Sequence, residues 1–154
     1  MKFVRLSKKQ AQKVDAELVR WNAQAVPFTQ EEPFHRLQYG VKEDGALIAG
    51  AGGTLYCWGI LYVDVVWVAE PHRHRGLGER LMNHLEEKAR KLGCTLVHLD
   101  TFDFQARGFY EKLGYTLFGT LDECPPGHKR FFFKKALSKQ STSDRESTEG
   151  GSIH

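Results

Sequence analysis

The stretch Arg73-His74-Arg75-Gly76-Leu77-Gly78 holds the residue types with the most chemical potential in this sequence. Glycine lets a backbone turn sharply and approach a ligand with no Cβ in the way. A tight turn that opens into a helix presents several unpaired N–H groups at the positive helix end, and a diphosphate fits such a nest. Arg73 and Arg75 add formal charge at its rim. No Gly-Lys-Ser/Thr follows, so this is not a Walker loop, and the G-x-G-x-x-G spacing of a dinucleotide fold is absent. On residue types alone the stretch fits an anion cradle and an ordinary solvent-facing turn equally well. His72 and His74 lie two apart without thiolate or carboxylate company, so no metal site is expected there.

A cradle of this kind needs a strand before it and a helix after it. The apolar run Leu61 to Val68, interrupted by Asp64, reads as a buried strand that Pro71 ends. Leu77, Leu81, Leu85, Ala89 and Leu92 mark the buried stripe of the helix, with Gly93 at its C-terminal cap position. Upstream, Ser7 and Gln10 form a capping box for a helix over 8–21 with the stripe Ala11, Val14, Leu18 and Trp21. Pro27 and Pro33 punctuate a loop. Asp44-Gly45 predicts a hairpin between strands at 37–42 and 46–56. Gly50, Gly52 and Gly53 predict a bulge or a close backbone approach in the second of these. Downstream come a strand at 95–99 and a helix with the stripe Ala106, Phe109, Tyr110 and Leu113, stopped by Gly114. Two final strands at 115–121 and 129–137 are joined by the loop 122–128, and Phe131-Phe132-Phe133 reads as sheet core. The order predicts an α/β fold with a single mixed central β-sheet flanked by helices.

Composition bounds the partners. The 154 residues favour one domain, expected over 1–137. Residues 138–154 are rich in Ser, Thr, Glu and Gly and bury too little to offset their ordering, so a disordered tail is expected there. A net charge of +3 suits a polyanionic small ligand. No helix carries a one-sided Lys/Arg face, so nucleic acid is not expected as a partner. Cys57, Cys94 and Cys124 form no CxxC pair, which argues against a disulfide framework and for a reducing, cytoplasmic setting. No apolar run reaches the roughly 18 residues of a membrane span, and no secretory signal is seen.

Two motifs carry a resemblance. Arg73-x-x-Gly76-x-Gly78 resembles the Q/R-x-x-G-x-G/A signature of the GNAT superfamily of acyl-CoA N-acyltransferases. The run from Trp67 to Met82 is similar to that family's strand, pyrophosphate loop and helix. Asp103-x-x-Ala106-x-x-Phe109-Tyr110-Glu111-Lys112-Leu113-Gly114-Tyr115 resembles its N-x-x-A-x-x-x-Y-x-K-x-G-F/Y element. The matches are spaced as that fold requires, and the order of elements agrees over 2–137. The resemblance implies acetyl-CoA as cosubstrate and no metal. It implies pantetheine lying between two splayed central strands, along the backbone of Val66, Trp67 and Val68. It places the pyrophosphate on the amides of Arg75, Gly76, Leu77, Gly78 and Glu79, in a loop that also holds Arg73 and His74. Asp103, Ala106 and Phe109 fall in the second element of the cofactor site. Asp103 stands where the family usually has Asn, and an ionised carboxylate accepts but does not donate.

The resemblance also gives Tyr110 a role. Attack of an amine on a thioester expels a thiolate whose conjugate acid titrates at about 8.5, and a tyrosine hydroxyl at about 10 can donate to it. Without the resemblance, Tyr110 reads as core. The incoming amine must be neutral, and Asp64, Glu70, Glu31, Glu32, His35 and His128 are candidate bases. Asp64 ranks first, as base or as counter-charge for the amine, because a carboxylate in an apolar strand is costly unless it faces a cleft. A structural, hydrogen-bonded Asp is its other reading. Alternation puts it on one side with Tyr62, Val66 and Val68; Glu70 ranks second. Trp21, Phe28, Phe34, Tyr56, Trp58 and Phe102 either line an acceptor pocket or pack. The expected function is N-acetyl transfer to a primary amine of a small molecule, such as an antibiotic or a polyamine. A protein N-terminus or lysine, and a non-catalytic acyl-CoA-binding module, are the alternatives. The resemblance admits a homodimer.

Overall fold

The computed structural model describes residues 1–138, so the tail expected over 138–154 lies outside the described residues apart from Ser138. The capping box forms. Ser7 Oγ accepts from the Gln10 amide at 3.3 Å, and Gln10 Oε1 accepts from the Ser7 amide at 2.9 Å. It starts α1 (Lys8–Ala25), which runs past residue 21 to an extended Val26. Strands β1 (Phe34–Glu43) and β2 (Ala46–Tyr56) meet through Asp44-Gly45, where φ is 49° and 81°. Two residues at positive φ match the twist of a tight hairpin. Then follow β3 (Ile60–Val68), α2 (Leu77–Lys91), β4 (Leu96–Phe102), α3 (Arg107–Lys112), β5 (Thr116–Asp122) and β6 (Lys129–Ala136).

These strands form one mixed sheet in the order β1-β2-β3-β4-β6-β5. Only β3 and β4 run parallel, joined by the crossover through α2. Of the stripe predicted for α2, Leu77, Leu81, Leu85 and Ala89 are buried and, with Met82, lie against β1, β2 and β3, whereas Leu92, just past the helix end, is 47% exposed. Leu55, Leu61, Val97, Leu99 and Phe133 complete the centre, with Tyr110 of α3 on the same side. Each fully buried side chain of this size contributes roughly 1.5–3 kcal/mol. No helix among the described residues is long and apolar enough to cross a membrane.

The stripe on α1 behaves differently. No residue of α1 is buried, and Val14, Leu18 and Trp21 are 56, 59 and 69% exposed. Only its C-terminal end is tied down, where the Trp58 indole donates to the Val26 carbonyl at 3.1 Å. Periodicity states which side of a helix is apolar; it does not state what covers it.

One charged group sits inside. Glu86 of α2 is 3% exposed. It accepts from the Tyr115 hydroxyl at 2.7 Å and from Lys135 Nζ at 2.8 Å, tying α2 to β6 and to the residue before β5. Burial first, and Glu86 second, push the Tyr115 hydroxyl far above its ordinary pKa, so it stays a donor. Removing the cation would leave a buried carboxylate without its counter-charge. Lys135→Met is therefore expected to lower unfolding stability by about 3 kcal/mol in urea titration; a loss under about 1 kcal/mol would mean the pair is a surface ornament.

Candidate active site

Strands β3 and β4 are neighbours over only part of their length. Their parallel ladder runs from Ile60/Leu96 to Val63/Leu99 and stops. Beyond it β3 stays paired with β2 as far as Val68, opposite Ala49, and β4 stays paired with β6 as far as Phe102, opposite Arg130. Each strand is held from its outer side while the inner edges, Asp64 to Val68 and Asp100 to Phe102, part company.

A bulge sits where the ladder ends. Gly52 pairs with Val65 and Gly53 with Val63, so Asp64 is the extra residue on β3. Gly53 is required there, because a Cβ would stand 2.5 Å from the Tyr62 carbonyl oxygen and 3.1 Å from Val63 Cα. A bulge bends its strand and increases the local twist, which turns β3 away from β4. It also overturns the simple alternation. Asp64 stays on the side of Tyr62, but Val66 and Val68 do not: they turn to the core, while Val65 and Trp67 are 44% and 45% exposed.

At the far end of β3 the chain makes a short 3-10 turn, Glu70–His72, with Pro71 inside it. His74 and Gly76 then take positive φ, 62° and 76°, and Gly76 is the N-cap of α2 with no side chain to close it. The first amide to bond back is that of Arg80, to the Gly76 carbonyl at 3.1 Å. The amides of His74, Arg75, Gly76, Leu77, Gly78 and Glu79 have no acceptor among the described residues. Unpaired donors at a helix start are what an anion site requires. Gly78 also matters for packing, because a Cβ there would stand 3.1 Å from Phe109 Cζ; its bareness lets α3 pack on the first turn of α2. The arginines brace the loop. Arg73 Nε donates to the Val68 carbonyl at 3.0 Å, and Arg75 meets His72 Nδ1 at 2.8 Å and lies 3.6 Å from Glu43.

Helix α3 is one residue shorter at each end than its stripe suggests, with Ala106 as N-cap. The Tyr110 ring is 9% exposed, between Phe109, Tyr115 and Phe133 at centroid distances of 5.0, 5.9 and 6.0 Å. Its hydroxyl has no partner among the described residues, yet it is not sealed: Arg90 Nε is the one fully buried, unpaired side-chain polar atom among them. Burial, and then the charge of Asp100, push the hydroxyl up to about 12. It is a proton donor at any physiological pH. Asp103, expected beside the cofactor, is engaged elsewhere. Its carboxylate accepts from the Lys129 amide and lies against His128 Nδ1, both at 2.9 Å. Burial alone would raise its pKa, but the Lys129 amide, the His128 ring and the Phe104 amide together hold it below the usual range. It clasps β4 to the loop before β6.

The face of the sheet away from α2 and α3 carries a polar cluster at the apex of the split. His98 pairs across from Tyr62 on the last rungs of the ladder. Its Nε2 lies 2.8 Å from the Tyr56 hydroxyl, and its ring is 5.1 Å from that of Tyr62. Tyr62 donates to Asp100 Oδ2 at 2.8 Å, and Arg130 Nε and one terminal nitrogen bond Asp100 Oδ1 at 2.8 and 2.5 Å. Burial lowers the His98 pKa against the opposing pull of Asp100, so the ring is neutral at pH 7. The ranked carboxylates look different in place. Asp64 is held by Arg36 through two contacts of 2.5 and 2.8 Å. Glu70 is exposed on the 3-10 turn. Glu32 and His35 pair with each other at 2.6 Å. The residue pattern offered no candidate at His98, Asp100 or Arg130. Alternation along β4 was the available signal, since it sets His98 and Asp100 opposite the buried Val97 and Leu99.

Comparison with known proteins agrees with this geometry. The family model described as Acetyltransferase (GNAT) family matches residues 5–115. Blasticidin-S acetyltransferase of Streptomyces morookaense is 41% identical over 100 residues, covering 64% of this chain and 73% of that protein. The crystal structure of an acetyltransferase from Bacillus cereus ATCC 14579 superposes with a TM-score of 0.82 at 31% identity, over 89% of this chain and 98% of that one. The fold is also that of an aminoglycoside 6'-N-acetyltransferase solved with coenzyme A (TM-score 0.62, 17% identity, 92% of this chain and 98% of that one).

The bulge glycine gives a direct check on the split. Gly53→Ala forces backbone atoms apart and is expected to cost about 2 kcal/mol in chemical denaturation. Gly50→Ala meets only the Tyr39 carbonyl at an ordinary 3.6 Å and is expected to cost less than about 1 kcal/mol. Equal losses would mean that the bulge imposes no special constraint.

Proposed function

The chain belongs to the Acetyltransferase (GNAT) family, and we propose that it moves the acetyl group of acetyl-CoA directly onto a primary amine of a small molecule. The carrying observation is the split between β3 and β4, with unpaired amides at one end and a donor and an acceptor of protons at its apex. Acetyl-CoA supplies an activated thioester. The amides of residues 74–79 would hold its diphosphate, and the inner edge of β3 from Val66 to Val68, parted from β4 and with only the Val68 carbonyl taken by Arg73, would pair with its amide-bearing arm, as an added strand does at an open edge.

Proton traffic falls to two side chains. His98 takes a proton from the incoming ammonium, leaving the nitrogen lone pair free to form the C–N bond. When Tyr56 accepts from Nε2–H, the Nδ1 lone pair of His98 stays available for this. Tyr110 donates its proton to the sulfur as the C–S bond breaks, and the electron pair of that bond leaves on sulfur. The products are an amide and free thiol. The Tyr56 hydroxyl and the Tyr62 ring orient His98, while Tyr62 and Arg130 fix the Asp100 carboxylate that acts on it electrostatically. Asp64 is already neutralised by Arg36, so the exposed carboxylate of Glu70, just past the end of β3, is the freer counter-charge for an incoming ammonium.

The small-molecule acceptor is supported by the relative named for blasticidin-S. A cytoplasmic setting is supported by the free thiols of Cys57, Cys94 and Cys124. The experiment is a thiol-release assay with acetyl-CoA and a panel of small amines, peptides and lysine side chains. Turnover on small amines is the expected result. Acetyl-CoA binding with no acceptor in any class would point to a binding module instead.

Two variants test the roles. Tyr110→Phe is expected to lower kcat about a hundredfold while acetyl-CoA affinity stays within about twofold; unchanged turnover removes Tyr110 from the chemistry. For His98 the sign follows from its lowered pKa. The ring must be neutral to act, so kcat/KM holds as pH falls through the ordinary value of 6.5 and declines only at the lower folded pKa. His98→Asn should abolish that acid limb and lower kcat/KM by about a hundredfold. A limb that survives the substitution belongs to another group.

A further inference from the structure

Helix α1 has an apolar stripe that nothing among the described residues covers. Val14, Leu18 and Trp21 are 56, 59 and 69% exposed, and the segment before the helix continues the patch with Phe3, Val4 and Leu6 at 98, 62 and 46%. An isolated helix of 18 residues is marginal in water. Monomeric domains rarely show a contiguous apolar patch of this size. The same chain carries the reverse defect. Helices α2 and α3 both pack on one face of the sheet, and among the described residues no helix lies over the other face. That face shows the aromatic bodies of Tyr56, Tyr62, Phe118 and Phe132, with Phe118 at 53% exposure. A mostly antiparallel sheet can leave one face to water, but large aromatic side chains gathered on that face ask for a cover.

A helix without a surface and a surface without a helix are satisfied together when two copies exchange helices about a two-fold axis. We propose that α1, with residues 1–7 ahead of it, docks on the helix-free sheet face of a second copy of this chain, the segment 26–33 serving as the connection. The six apolar side chains of α1 and its leading segment expose on the order of 800 Å² per chain, which is the area per partner of a standard stable interface. The exchange is reciprocal, so one contact type closes the assembly as a dimer. An unrelated partner would cover the helix and leave the sheet face bare; a second copy covers both. The receiving face also carries Tyr62, His98 and Asp100. The partner's α1 therefore roofs the acceptor side of the split, a consequence that rests on the acetyl-transfer reading of the site.

The deciding measurement is the mass of the full chain by light scattering after gel filtration. Wild type should give twice the 17.6 kDa chain mass. Leu18→Glu/Trp21→Glu on the helix and Phe118→Glu on the receiving face should each halve it, with circular dichroism showing an intact fold. Should a variant fail to fold, hydrogen exchange on the wild type decides: α1 amides should exchange more slowly at high than at low micromolar protein. A single-chain mass for wild type, a dimer indifferent to all three substitutions, or α1 exchange independent of concentration overturns the proposal. In the monomeric variant the acceptor KM should rise at least about tenfold while acetyl-CoA affinity is kept, because ordering the acceptor loses its roof. Failure of wild type to bind acetyl-CoA would sink the acetyl-transfer reading and leave the mass result standing.

Discussion

Everything at the site depends on a backbone constraint at Asp64. One extra residue on β3, opposite the pair Gly52-Gly53, ends the parallel ladder at Val63/Leu99. A strand cannot leave its neighbour cheaply, since each abandoned N–H and C=O loses a partner. Here each strand keeps its antiparallel neighbour on the outer side, β2 for β3 and β6 for β4, so only the inner edges are left unpaired. The result is an open, directional backbone edge in the middle of a sheet rather than at its margin. Gly53 makes it possible by letting the Tyr62 carbonyl approach where no Cβ would fit.

The same burial acts in opposite directions on the two groups proposed to move protons. It raises the Tyr110 hydroxyl, because the phenolate is the charged form, and it lowers His98, because the imidazolium is. A donor that will not ionise and an acceptor that will not charge are therefore both ready at neutral pH. They belong to different faces of the sheet, Tyr110 on the packed side and His98 on the open side. Asp100 raises both values and so couples them electrostatically across the parted strands.

Three carboxylates near the split are tied to a cation or a donor. Asp64 has Arg36, Asp100 has Arg130 and Tyr62, and Asp103 has His128 and the Lys129 amide. Pairing of this kind lowers the repulsion a polyanion would meet at the proposed site. Arg73 and Arg75, in contrast, bond to Val68 and His72, while the six amides of residues 74–79 have no acceptor among the described residues. The glycines of this loop divide their work. Gly76 supplies the left-handed turn, while Gly78 makes room for Phe109.

Local signals were legible from residue order alone. The capping box at Ser7, the Asp44-Gly45 hairpin, the buried stripe of α2 and the spacing of the two GNAT-like elements depend on contacts a few residues apart, and they appear as expected. What required the folded chain were relations between distant segments. The bulge at Asp64 exists only as a mismatch between two strands, so one-strand alternation placed Val66 and Val68 on the wrong side. Residue order did not say which donors hold Asp103 and Asp64; the fold brings Lys129 and His128 to the first and Arg36 to the second, which favours the structural reading of Asp64. His98 gained its role from burial and from Tyr56 and Tyr62, which lie 42 and 36 residues away in sequence. For α1, the period of the stripe named its apolar side correctly, but which surface meets that side is a property of packing and not of period. Residue order determines what each segment can offer; only the folded arrangement decides what it is offered to, because pairing, burial and charge are set by neighbours far along the chain.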